Sequence, residues 1–186
     1  MSSVRIQRPG ETEYAPYYAG YVARVPEGDV LELLATQAAD TQSLVGGLSE
    51  AEAGFRYAPD KWSIKQIVGH LGDTERIMTY RAVCIARGEQ GMLPGFDENA
   101  YVAAANFDAR TLPGLLAELQ LVRAATVGFF AGLTAEELAR RGNANRHDVT
   151  VRALAYVIAG HERHHVAILR ERYLAAMRRP STAGAR

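Results

Sequence analysis

Five residues near the C-terminal end, His161-Glu162-Arg163-His164-His165, hold the densest cluster of chemically capable side chains in the sequence. They lie in a run from Thr150 to Met177 with no proline and a single glycine, Gly160. Such a run reads as one helix. Its apolar positions Val151, Leu154, Ile158, Ile168 and Leu169 recur at three- and four-residue steps. Continuing those steps through the gap lands on His161 and His165. Four residues of helix give about 6 Å of rise and about 40° of rotation, so the two imidazoles can converge on one point. Two buried imidazoles each need a partner or bear a desolvation cost. A divalent ion would satisfy both together; two separately satisfied core histidines are the competing reading.

A third histidine, His70, falls on another inward stripe with Ile67, Thr74, Ile77 and Cys84. Three imidazole nitrogens with one position left open form the donor set of a reactive site for zinc or a similar ion. Cys84 lies about 21 Å further along the same helix, too far to share the ion. Asp73 is either a carboxylate ligand, a group that orients a ligand, or a solvated acid. His164 lies about 60° from His161 on the flank of the stripe, where it either meets a substrate or packs against a neighbouring helix. Glu162 reads as a surface ion, and His147 as an exposed residue in the polar loop from Asn143 to Asp148. The pattern is not H-E-x-x-H, which argues against a zinc protease of that type.

The elements that must position these residues are helical. Asp29 is a plausible cap for a first helix over Val30 to Leu48, which Gly46-Gly47 helps to end. Ser63 and Gln66 form a capping box that opens a second helix running to about Arg87. Residues 88–110, with Gly88, Gly91, Pro94 and Gly95, read as a long irregular crossover holding one helical turn near Ala100 to Ala105. Thr111 and Pro113 start a third helix that reaches about Ala131. Thr134 to Glu137 is a second capping box, and Thr150 caps the fourth long helix. No stretch reads convincingly as a strand. The fold class expected is all-α, a four-helix bundle with a long crossover between the second and third helices. Residues 1–27 form an N-terminal arm packed on the bundle, 28–179 the bundle itself, and 180–186 a disordered tail. The arm's Tyr14, Tyr17, Tyr18 and Tyr21 are expected to pack on its surface rather than line a ligand cleft.

With 186 residues the chain is sized for one domain. Lys+Arg and Asp+Glu are equal at 21 each, leaving no electrostatic footprint for nucleic acid or an anionic membrane. One cysteine excludes an internal disulfide and a multi-cysteine metal site. No secretory signal is evident and no apolar run is read as a membrane span, so a cytoplasmic location is the expectation.

Tyr14 to Tyr18, Lys61 to Lys65, Gly69 to Arg76, Pro94 to Glu98 and Gly160 to His165 together resemble the DinB/YfiT-like family of bacterial four-helix-bundle metalloproteins. The resemblance covers nearly the whole chain. It implies a divalent metal, zinc or nickel, held by His70, His161 and His165, and a homodimer. It also implies an unidentified small-molecule substrate, with a low-molecular-weight thiol as one option. Family members include metal-dependent hydrolases and thiol-dependent S-transferases or isomerases, and fold likeness does not choose between them. Three readings follow: a metal-dependent enzyme, a non-catalytic metal- or ligand-binding stress-response bundle, and a dimerising scaffold whose histidines only pack.

Overall fold

The computed structural model describes residues 5–178. The expected disordered tail, 180–186, lies outside the described residues. Four long helices dominate: α1 Val30–Val45, α2 Ile64–Ala86, α3 Leu112–Ala131 and α4 Val151–Ile168. All four open at the expected caps. Asp29 accepts from the Leu31 amide, Ser63 from Gln66, Thr111 from Gly114 and Thr150 from Ala153. Each such cap contributes about 1 kcal/mol by satisfying an amide that the helix leaves free. Beyond Ile168, α4 continues as wider π-helical turns over Leu169–Leu174 and one last α turn, Ala175–Met177.

Helix α2 packs against α3 and α4, and α1 packs against the same two. The helices adjacent in sequence, α1 with α2 and α3 with α4, therefore face each other across the bundle's diagonals. Two apolar clusters fill the interior. One joins the arm, the C-terminal half of α2 and the first turns of α4; the other joins the N-terminal halves of α2 and α3 with Leu169 and Tyr173. Between them runs a band of buried polar side chains.

The crossover contains the short helix Glu98–Ala104, capped by Asp97, and a 3-10 turn Phe107–Ala109. Contrary to expectation, Asn143 to Asp148 is not a bare loop but the middle of a hairpin. Strands β1 Arg141–Ala144 and β2 His147–Thr150 form an antiparallel hairpin with Ala144 opposite His147. Asn145 and Arg146 both have positive φ, 54° and 67°, as a type I′ turn requires. His147 thus begins a strand, and it is exposed as expected.

By length and composition α3 is apolar enough to cross a membrane, which the sequence reading did not anticipate. Its Arg123 nevertheless bonds to side chains or backbone of all three other long helices, so one face of α3 packs into the bundle.

The arm is fastened to α4. The Glu13 carboxylate accepts from Arg152 Nε at 2.6 Å and from Thr150 Oγ1 at 2.9 Å. Burial pushes this carboxyl up, but the Arg152, Gly10 and Thr150 hydrogen bonds outweigh it and hold the pKa at about 2. The short helix Ala19–Val22 then crosses α4 at Gly160.

Candidate metal centre

The histidine ligands predicted from spacing come together. His70 Nε2 lies 3.0 Å from His161 Nε2, and His165 Nε2 lies 3.1 Å from the same atom. One nitrogen from each ring falls within 4.8 Å of the other two. All three residues are buried. Burial drives each ring towards its neutral form: His70 is lowered to about 4, and His161 and His165 are pushed well below the ordinary histidine value. Neutral imidazole is also the form that ligates metal.

Hydrogen bonding alone serves this cluster poorly. A neutral imidazole offers one donor and one acceptor. The single Nε2 of His161 faces two other Nε2 atoms, which exceeds its one lone pair or one proton. His165 Nδ1 is buried and has no partner among the described residues. A tetrahedral zinc site with Zn–N of about 2.0–2.1 Å places neighbouring nitrogens about 3.3–3.4 Å apart, close to the spacing seen here. The donor set fits a divalent ion.

Each ring is set by its surroundings. Thr74 Oγ1, one turn beyond His70, lies 3.4 Å from His70 Nδ1. Trp62 stacks on His165 with 6.3 Å between ring centroids and tilts over His70 at 4.7 Å. The Tyr173 hydroxyl donates to the Trp62 carbonyl at 2.7 Å, tying the wider turns of the last helix to this wall. Tyr21 meets His161 and His164 edge-on.

Beneath the rings lies an ionic layer. Arg123 of α3 donates to both carboxylate oxygens of Glu75, at 2.8 and 2.7 Å, to Glu162 at 2.7 Å and to the Leu34 carbonyl at 2.9 Å. Thr41 and Gln37 of α1 also donate to Glu162. Burial pulls the Arg123 pKa down, yet its bonds to Glu75 and Glu162 prevail and raise it. Two carboxylates against one guanidinium leave one formal negative charge. Glu75, Arg123, Glu162 and His161 line one small void, so that charge lies against the histidine cluster.

Glu162 is therefore not the surface ion expected from sequence; it is 2% exposed. It points between α1 and α3, while α2 and the arm cover other sides of α4. Asp73 is half-buried and pairs with Arg76 rather than joining the histidines. Cys84 is free, half-buried and outside the cluster. His164 is half-buried at the edge of the adjoining cleft.

That cleft has a volume of about 300 Å³ and opens beside His70, His161 and His165. Tyr18 and Tyr21 of the arm, Trp62, Arg81, Phe96 and Asn145 contribute to its walls. Tyr18 and Tyr21 thus do line a cleft, against the expectation of surface packing, whereas Tyr14 and Tyr17 do not. Arg81 was also missed, although steps of four, four and three from His70 through Thr74 and Met78 reach it.

Known proteins set this arrangement in context. YfiT from Bacillus subtilis, described as a probable metal-dependent hydrolase with an unusual four-helix bundle topology, superposes with a TM-score of 0.72. The superposition covers 89% of this chain and 94% of YfiT at 19% sequence identity, which is a likeness of fold. No curated protein matches the sequence. The family model of the DinB superfamily matches residues 33–169, a span that takes in all three clustered histidines and the ionic layer under them. The chain belongs to the DinB superfamily.

Proposed function

We propose that the protein is a metal-dependent enzyme that binds a divalent ion through His70, His161 and His165 and transforms a small molecule in the adjoining cleft. The observation that carries this reading is the convergence of three buried Nε2 atoms beside an open cleft. Three neutral ligands leave the ion's charge uncompensated, and the negative layer of Glu75, Arg123 and Glu162 beneath them supplies part of the balance. A bound divalent ion would supply Lewis acidity, lowering the pKa of a water or thiol that shares it. The chain's own residues do the rest. Trp62 and Tyr21 hold the rings and exclude water from their flanks. Burial keeps the His70 ring neutral, and Thr74 lies within hydrogen-bond distance of its Nδ1. His164, on the cleft's edge, is placed to meet the substrate.

The cleft lies at the lower end of the volume range of small-molecule sites. Hydrolysis and thiol transfer are the reaction classes proposed, the first in keeping with the description of YfiT. Zinc and nickel are the candidate ions. The test is a panel of carboxylic esters and thiol-transfer substrates assayed with and without chelator. Turnover that chelation abolishes and zinc or nickel restores is expected. Stoichiometric metal without turnover of any member would favour the non-catalytic binding bundle instead.

A further inference from the structure

The cleft holds one feature that the histidine site does not use. Arg81 is 2% exposed, and its guanidinium pairs with no carboxylate among the described residues. Nη2 donates to the Pro94 carbonyl at 2.7 Å and Nη1 contacts Met78 Sδ at 3.5 Å. Nε is buried with no partner among the described residues. The contrast with Arg123, which has two carboxylates at the same degree of burial, is direct. A buried cation without a counter-ion is among the least favourable arrangements in a protein, and it calls for an anion. Arg81 lines the cleft, so the anion can arrive there from solvent.

We propose that Arg81 is the anchor for a carboxylate, and that the cleft accepts a small monocarboxylic acid whose apolar portion lies along its aromatic wall. Two features choose this class. Among the described residues lining the cleft Arg81 is the only lysine or arginine, so it offers one positive charge to match a monoanion, and Glu98 on the same lining further disfavours a phosphate dianion. The guanidinium fork matches a carboxylate with two parallel hydrogen bonds. Phe96, whose ring lies 5.8 Å from the Arg81 guanidinium carbon, then offers an apolar face next to the charge. Arg81 and His70 lie on one stripe of α2, about 16 Å apart along the helix axis, with side chains leaning back towards the N-terminus. A ligand held at Arg81 would therefore extend along Thr74 and Met78 and present its far end to the histidines. This assignment rests on reading the cleft as the substrate site, but binding at Arg81 does not require the ion.

Benzoate, with neutral benzamide as its isosteric control and inorganic phosphate as a second anion, tests the proposal by calorimetry. The full-length protein is used stripped with EDTA and, in parallel, loaded with zinc. Benzoate is expected to bind both forms, benzamide and phosphate neither. Arg81→Met should weaken benzoate roughly ten- to a hundredfold, the loss expected of a charge-assisted hydrogen-bond pair. Arg81→Lys, which keeps the charge without the fork, should fall between. The stripped and zinc-loaded arms keep the two sites apart: a failed metal site leaves benzoate binding to the stripped protein intact, and a failed anion site abolishes it in both. Equal affinity for benzamide, preference for phosphate, or an unchanged constant in Arg81→Met would overturn the assignment. Benzoate binding confined to the zinc-loaded form would also overturn it, placing the carboxylate on the ion.

Discussion

The carbonyl of Tyr21 lies against Gly160 so closely that a Cβ on that glycine would fall 2.0 Å from the oxygen. The one glycine inside α4 is thus where the arm's backbone crosses the helix, one residue before His161. The contact sets the height of Tyr21 over the ring of His161, whose centroid is 5.3 Å from the tyrosine's.

Gly160→Ala should lift the arm, because the clashing atoms are backbone and cannot rotate away. Overpacking of this kind costs about 1–3 kcal/mol. The expected outcome is a lower midpoint in urea, together with faster proteolysis within residues 10–25. Midpoint and cleavage pattern unchanged from wild type would contradict this account of the crossing.

Arg123→Ala should destabilise the fold by about 3–5 kcal/mol, since it leaves Glu75 and Glu162 buried without their cation. Arg76→Ala is the comparison, because its pairs with Asp73 and Glu118 are partly exposed and contribute about 0–1 kcal/mol. Denaturant unfolding of the two variants should separate them clearly.

Protonation links the histidines to stability in the metal-free protein. Their folded pKa values are depressed below the unfolded value, so the unfolded chain binds more protons in acid. Stability from keeping these rings neutral is complete above the unfolded histidine pKa of about 6.5 and falls as pH drops towards the folded values. For His70 that window closes near about 4. His70→Phe in the metal-free protein should flatten the decline between those limits. A slope matching wild type there would count against the burial of a neutral ring.

Glu13 acts lower on the scale. Its carboxyl is held at about 2, so its contribution is present above the ordinary glutamate pKa and lost as pH falls towards about 2. Glu13→Gln should lower stability at neutral pH and remove part of the acid dependence below about pH 4.5. Thermal melts at pH 7 and pH 3 measure both effects.

Much of this was legible in the sequence, for physical reasons. Caps at Asp29, Ser63, Thr111 and Thr150 announce themselves because few residue types satisfy free helix amides. The stripe through Ile158, His161 and His165 works because helical periodicity converts spacing into direction. Glu162 was misread because periodicity identifies one inward stripe, whereas α4 is enclosed by α1, α2 and the arm and has little outer face over its first three turns. The hairpin escaped notice because strands of four residues carry too little alternation to register, and its Asn-Arg turn lacks the usual glycine. Tyr18 and Tyr21 depend on where the arm crosses α4, a long-range contact that no local pattern encodes.

The central claim is a single ion held by rings from two helices, and metal content per chain of the purified variants tests it most directly. Wild-type protein, stripped and reloaded with zinc or nickel and then desalted, should carry one equivalent by elemental analysis. His70→Ala, His161→Ala and His165→Ala should each lose it, while His147→Ala, remote from the cluster, should retain it. A His70→Ala protein that still holds a full equivalent would contradict the three-histidine site.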